Sequence, residues 1–314
     1  MGLVKPTIGH HCGNAKPYQV IIYFTLHIKT SKTYQSQQML DQDCIKFLQS
    51  CLPQLGYRWE GFRRVRKQVC KRIQKRLVTL NLPNCSYYYS YLEQNAEEWK
   101  ILDSFCYITI SRFYRDRKVF EILQHKILPL LAQNAFKENQ VEVRSWSAGC
   151  CSGEEPYTLQ ILWHLDLLPK ISKQLQLQLV ATEQHSDLIS RAERGQYPKS
   201  SLKDLPKTFQ EEAFTQSESK YILKNHFKTG VRFFRQDIRQ QLPDGNFDLI
   251  LCRNLVFTYF QQDVQLKLLE KFIRKLRPNG FLVLGVNESL TQNEDFLEPC
   301  MDLVGKSIYQ RKKN

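Results

Sequence analysis

Residues 141–314 predict a doubly wound α/β unit, and residues 39–132 a small all-helical unit in front of it. Three observations carry that expectation. Val141, Val143, Ser145 and Ser147 alternate along a short strand, which passes through Gly149 and Gly153 into a helical pattern at Leu159, Ile161, Leu162 and Leu165. Phe247-Asp-Leu-Ile-Leu-Cys252 is a near-continuous apolar run, the pattern of a parallel strand buried on both faces. Residues 39–77 instead repeat apolar side chains at three and four, the period of helices.

The first 38 residues show no sustained period and read as a loosely ordered extension. From about Met39, Leu40, Cys44, Phe47, Leu48, Cys51 and Leu52 line one helix face, and Pro53 and Gly56 end that helix. The next helix is expected over Trp59–Leu77, with Phe62, Val65, Val69, Ile73 and Leu77 inside. Its other faces carry Arg63, Arg64, Arg66, Lys67, Lys71, Arg72, Lys75 and Arg76. Eight cations without an acid among them favour an acidic partner. No aromatics interleave them, which weakens a nucleic-acid reading. Further helices are expected over Ser86–Leu92, Glu97–Phe105 and Val119–Leu131, the last broken by Pro129. Tyr107 to Asp116 reads as extended or irregular. The polar residues 133–140 read as a linker.

The Gly149–Gly153 turn indicates the ligand. A dinucleotide site wants a third glycine, so that bare amides meet a pyrophosphate. Here Glu154 and Glu155 stand at the helix start instead. They would repel phosphate and suit a cationic nucleoside such as S-adenosylmethionine. Equally, Ser152 and Glu155 have the spacing of a capping box. The turn alone leaves both readings open.

Leu175 to Ala181 is the second strand, ending at Thr182-Glu183, where a carboxylate can accept from both ribose hydroxyls. Residues 214–234 suggest a small antiparallel insertion, returning to a strand that ends near Asp237. The Phe247 strand runs into Arg253-Asn254 at its carboxyl end, where such folds bind ligands. A helix is expected over Gln262–Leu276, a turn at Pro278-Asn-Gly280, a core strand at Phe281–Gly285 and an edge strand at Ser307–Gln310.

The chain has 314 residues and a net charge of +14, most of the basic excess lying in residues 1–125. No apolar run approaches the roughly 20 residues of a membrane span. The expectation is a cytoplasmic monomer without membrane insertion. Its ten cysteines include no C-x-x-C and no zinc spacing, so most should be small buried hydrophobes and no metal is expected. Cys150, Cys151 and Cys252 lie near the turn, but no histidine pattern supports a thiol nucleophile.

Four stretches resemble the CheR-type methyltransferases, which esterify chemotaxis-receptor glutamates using S-adenosylmethionine. Trp146-Ser-Ala-Gly-Cys-Cys-Ser-Gly-Glu-Glu-Pro-Tyr157 is similar to the family's W-S-A-x-x-S-x-G-E-E-P-Y. Phe247 to Asn254 is similar to F-D-x-I-F-C-R-N, and Ile110 to Asp116 to its T-x-F-F-R segment. Leu276 to Gly285, followed by Glu288-Ser-Leu290, resembles L-x-P-G-G-x-L-x-x-G and S-E-S-L. The likeness covers roughly residues 40–314. It implies a Rossmann-like methyltransferase domain. It also implies cofactor contacts from Thr109, Ser111, Arg115, Glu155, Glu183, Asp237, Ile238, Arg253 and Asn254, beside Gly149 and Glu154 of the turn. Glu183 stands where the family usually has aspartate, Asp237 where it has asparagine, and Ser111 where it has threonine. The family's C-R-N-x-x-I-Y-F is one residue longer here, so Tyr259 is displaced by one, which bears on the acceptor pocket more than on the cofactor.

A carboxylate acceptor, with a reference pKa of about 4.3, needs no general base at neutral pH. Catalysis would rest on alignment and a dry site. Arg115 is expected to orient a carboxylate and Tyr259 to line the methyl channel. The alternatives are the same fold acting on a small molecule or RNA, and a non-catalytic module that binds S-adenosylmethionine.

Overall fold

Among the described residues seven strands form one sheet in the order β6-β2-β1-β7-β8-β10-β9, and that order decides where a ligand can sit. The computed structural model describes residues 41–171, 175–290 and 300–313. The expected extension over residues 1–38 lies outside the described residues.

Among the described residues five helices come first: α1 (41–51), α2 (Trp59–Phe62), α3 (Arg66–Thr79), α4 (Cys85–Gln94) and α5 (Ala96–Phe105). Then follow α6 (Arg117–Ile122), α7 (Leu128–Lys137), β1 (Glu142–Ala148), α8 (Glu154–Leu162), β2 (Gln176–Glu183), α9 (Ser186–Arg194) and β3 (Gln196–Pro198). Next come α10 (Lys207–Ala213), β4 (Phe214–Ser217), β5 (Lys220–Leu223), β6 (Val231–Arg235), β7 (Phe247–Leu251) and α11 (Val256–Tyr259). The chain closes with α12 (Gln262–Lys275), β8 (Leu276–Val283), β9 (Met301–Gly305) and β10 (Ile308–Arg311).

β1 pairs in parallel with β2 and β7, β2 with β6, and β7 with β8. The chain therefore winds one way from β1 through β2 and the other way through β7. A crevice opens at that switch, over the carboxyl end of β1. β10 and β9 close the far edge antiparallel.

Strand periodicity divides the core between the two faces. Trp146, Ala148, Ile250 and Cys252 join one apolar cluster with Phe47, Leu48, Phe62, Ile73 and Tyr88 of the front helices and Phe272 of α12. Val143, Leu249 and Leu251 join the other, with Val119, Phe120 and Leu131 from α6 and α7. The packing thus changes sides between Ile108 and Phe113, not at residue 132: α1–α5 cover one face and α6–α7 the other.

Several elements differ from expectation. The basic helix is interrupted: α2 ends at Phe62, residues 63–65 turn, and α3 starts at Arg66. Gly61 lies against α11, where an added Cβ would meet the Thr258 carbonyl oxygen at 2.3 Å, so α2 is placed by tertiary contact. Pro129 does not break its helix. A π turn over Leu123–Ile127 widens the ladder, Leu128 N–H bonds to Leu123 O, and Pro129 falls in the first turn of α7, where a missing N–H costs little. α7 then runs to Lys137, so residues 133–137 are helix and not linker. The antiparallel sheet is β3-β5-β4 and recruits Gln196–Pro198, while Val231–Arg235 belongs to the main sheet. Pro278-Asn-Gly280 lies within β8, with Asn279 at φ 63°, so it kinks a strand instead of turning the chain. β10 is interior to the sheet, and the unforeseen β9 is the edge.

Cys44 and Cys70 form a disulfide between α1 and α3, which the spacing of the cysteines did not suggest. Cys51, Cys85, Cys106, Cys150 and Cys252 are free and buried. Among the described residues no helix is long and apolar enough to cross a membrane, and no three His, Cys, Asp or Glu side chains gather as a metal site.

Candidate cofactor and methyl-transfer site

The turn after β1 is built by its backbone. Gly149 at φ 75° and Gly153 at φ 88° adopt left-handed conformations, and so does Cys151 at φ 53°. The N–H groups of Gly149 and Cys150 both donate to Thr182 O, at 2.9 and 3.0 Å, which folds the turn onto the end of β2. A Cβ on Gly149 would press on Leu255 Cδ2 at 2.5 Å, and the left-handed φ strains any residue but glycine there.

The expected pair of acids divides. Glu154 is buried and faces inward, accepting from Ser152 Oγ at 2.9 Å and bonding Ser111. It lines neither cavity over the turn. It is therefore not the ligand-facing acid that its position suggested; Gly153 as N-cap turns it toward the protein. Burial raises its carboxyl pKa. No capping box forms either. Glu155 accepts from Ser147 Oγ at 2.7 Å and from Arg253 Nη1 at 2.9 Å.

Two adjoining cavities open at the sheet switch, with about 540 and 590 Å³ of space including their mouths. Gly149, Glu183, Asn254, Tyr107, Ile108 and Leu255 line both. Asp237, Ile238 and Tyr259 line the first. Ser111, Arg115, Glu155 and Arg253 line the second. Thr109 is exposed and lines neither.

Glu183 ends β2, buried, and accepts from Cys151 N at 3.1 Å and His185 N at 3.0 Å, and it bonds Tyr107. Burial raises its pKa against those bonds. The Gln184 N–H approaches it as well, so protein donors already meet the roughly four acceptor positions of an ionised carboxylate, and a ribose hydroxyl here would share an oxygen with them. Asp237 is occupied otherwise. Arg239 bonds its carboxylate at 2.8 Å and reaches Asp103 of α5 at 2.7 Å. The extra charge, where the family has asparagine, is thus neutralised within the chain.

Arg253 is buried and its fork is spent on the protein. Nη2 donates to Arg115 O at 2.6 Å and Asp116 Oδ2 at 2.9 Å, and the guanidinium stacks 4.8 Å over Phe120. Its Nε is buried without a partner. Asn254, at φ 54°, donates its N–H to Glu288 Oε2 at 2.8 Å. Glu288 also accepts from Gly285 N at 2.7 Å and Thr258 Oγ1 at 2.5 Å. Buried Glu288 therefore anchors the loop that presents Asn254. Arg115 bonds Ile110 O. Tyr259 ends α11, its ring 4.9 Å from Phe62 of α2, and burial raises its phenol pKa. The lengthened segment is the one that forms α11, and Tyr259 still lines the first cavity.

Tyr107, Asp116, Leu255, Glu288 and Arg239 were not singled out for these roles. Tyr107 and Glu288 stood inside quoted stretches, but neither period nor spacing separated them from their neighbours.

The family model for the CheR methyltransferase S-adenosylmethionine-binding domain matches residues 109–303. The chain belongs to the CheR methyltransferase family. It is an S-adenosylmethionine-dependent methyltransferase with a Rossmann-like fold. The residues fit that cofactor: a carboxylate at the tip of β2, a glycine turn beside Leu255, and Glu155 on the cavity wall. Several chemotaxis protein methyltransferases are similar to this CheR chain. That of Borreliella burgdorferi is 28% identical over 71% of this chain and 80% of its own. That of Salmonella typhimurium is 28% identical over 91% and 96%. An uncharacterized 104.1 kDa protein in the hypE 3' region of Rhodobacter capsulatus is 31% identical over 72% of this chain, which spans only 23% of that relative. Among solved structures, N-methyltransferase NodS from Bradyrhizobium japonicum WM9 with S-adenosyl-l-homocysteine covers 64% of this chain and 91% of its own. It is 13% identical, with a TM-score of 0.36.

Proposed function

We propose that the chain methylates a glutamate carboxylate on an acidic protein segment, forming a methyl ester. One observation carries this reading: the acids and phenols lining the cleft are held by partners or carry raised pKa values. Glu155 is paired with Arg253 and Asp237 with Arg239. Glu183 is buried under four donors, burial pushes Cys151 up to about 12, and burial raises Tyr107 and Tyr259. A cleft so arranged suits an acceptor that arrives already ionised, which a carboxylate does at neutral pH.

S-adenosylmethionine supplies a methyl group on a sulfonium, to which a carboxylate oxygen can bond as the carbon–sulfur bond breaks. Glu183 would hold the ribose, and Asn254 and Ile238 would flank the nucleoside. Arg115 would orient a carboxylate. Tyr259, with Tyr57 and Phe260 beside it, would exclude water from the transfer path.

Five cations, Arg63, Arg64, Lys67, Lys71 and Lys75, remain exposed on α2–α3 for an acidic partner. The other three serve the fold. Arg76 forks onto buried Glu98, Arg72 donates to the carbonyls of Phe105 and Tyr107, and Arg66 pairs with Asp41. The docking face is therefore narrower than the charge run suggested.

The test is methyl labelling of candidate acidic proteins. Label released by mild base indicates carboxyl esters. Label stable to base indicates another acceptor, and tight cofactor binding with no transfer indicates a sensing module. Either of the last two outcomes overturns the proposal.

A further inference from the structure

A third recess, about 360 Å³ with its wide mouth, lies beside the second cavity and is lined by Ser111, Arg112, Ser200, Ser201 and Lys203. Every lining side chain is a hydroxyl or a cation. Ser111 and Arg112 line the second cavity as well, so the two spaces share a wall. That wall is fixed by packing. Phe113 N–H donates to Ser201 O at 2.9 Å, and the Phe113 ring meets Tyr197 edge-on at 4.8 Å. Arg112 Nε lies 2.8 Å from Asp204 Oδ2 but makes no aligned hydrogen bond, so this contact does not saturate the guanidinium's five donors.

We infer that this recess is an anion-recognition subsite, which takes a second anionic side chain of the acceptor segment while the accepting carboxylate occupies the second cavity. The inference rests on the carboxylate-acceptor reading above. An anion here meets the Arg112 and Lys203 cations and up to two hydroxyl donors, Ser200 and Ser201, since Ser111 already bonds Glu154, a set matched by a carboxylate or a phosphorylated side chain. The broad mouth suits a side chain carried by a docked protein. Lys203 and Ser200 are exposed and line neither cofactor cavity, so their role is separable from the transfer machinery.

The experiment uses three synthetic helical peptides, each with one target glutamate and one neighbouring position that is glutamate, phosphoserine or glutamine. Binding to the full chain loaded with S-adenosylhomocysteine is read by fluorescence anisotropy, and methyl transfer separately by label. The glutamate or phosphoserine peptide should bind about tenfold more tightly than the glutamine peptide, and the stronger of the two names the source. In Lys203→Glu that preference should vanish, with S-adenosylhomocysteine affinity and melting temperature unchanged and Ser200→Ala giving a smaller loss. If no peptide binds, or all three bind alike, or Lys203→Glu keeps the preference, the inference is overturned. Charge-selective binding without methylation would keep the subsite and reject the carboxylate acceptor. Methylation blind to the neighbouring charge would do the reverse.

Discussion

Arg253 Nη1 lies 2.9 Å from Glu155 Oε2, joining the end of β7 to the start of α8 across 98 residues of sequence. The same guanidinium holds Asp116 and the Arg115 carbonyl, so three segments of the cleft meet on one buried cation. Removing it leaves two carboxylates without their counter-charge. Arg253→Ala should lower the unfolding free energy by about 3–5 kcal/mol, while Arg253→Lys should lose less, keeping the charge but not the fork. Urea denaturation measures both. A loss below about 1 kcal/mol for Arg253→Ala would show that the cleft does not hang on this residue.

Glu183 should govern cofactor affinity and its pH dependence. Hydrogen bonds to a charged group contribute roughly 1.5–3 kcal/mol, so Glu183→Gln should weaken S-adenosylhomocysteine binding about tenfold or more. Burial raises the Glu183 pKa above the ordinary glutamate value. Affinity should therefore start to fall on acidification earlier than for an exposed glutamate, as the acceptor takes up its proton. Calorimetric titrations from pH 8 to 5 should show that fall in the wild type and a flatter profile in Glu183→Gln.

Glu154 should affect stability with the opposite sign from a salt-bridged acid. Its folded pKa is raised by burial, so the folded state keeps a proton that the unfolded state has released. The contribution is full below the unfolded pKa and is lost as pH rises through the folded one. Glu154→Gln should accordingly gain on the wild type at pH 8, and the gap should close near pH 4. Thermal melts across that range decide the matter; a gap that widens on acidification contradicts the assignment.

The Cys44–Cys70 disulfide closes a loop with a sequence separation of 26. A cross-link of that span stabilises by roughly 3–4 kcal/mol in the chain-entropy view. Cys70→Ser should lose about that much under non-reducing conditions and nothing further when reductant is added. Equal midpoints for variant and wild type without reductant would mean the bond contributes nothing.

Charge reversal separates docking from folding on the basic front. Arg64→Glu with Lys67→Glu should raise KM for an acidic protein substrate several-fold, leave kcat and stability nearly unchanged, and lose its effect at high salt. Arg72→Ala should instead destabilise, because Arg72 ties α3 to the carbonyls of Phe105 and Tyr107. An unchanged KM in the double variant would make the exposed cations a merely solvated face.

The strand–turn–helix at Gly149, the apolar Phe247 strand and Glu183 at the tip of β2 were legible because each is a local pattern of period or backbone need. Residues 133–137 were not, because polarity alone cannot show that the π turn before Pro129 lets a helix continue. Nor could the split between Glu154 and Glu155 be read: adjacent acids look equivalent until Gly153 turns one inward and Arg253 captures the other. Asp237 and Arg72 looked available as charges, and their partners come from distant segments.

By itself the sequence determined the α/β class, the ligand-bearing turn and the family, since strand and helix periods, glycine placement and short motifs are written within a few neighbouring residues. Only the tertiary structure decided which charges face the cleft, where the helical front meets the sheet, and that Cys44 reaches Cys70. Those outcomes depend on which distant side chain fills a buried charge's remaining hydrogen bonds, and a buried ion is costly unless some part of the fold supplies them.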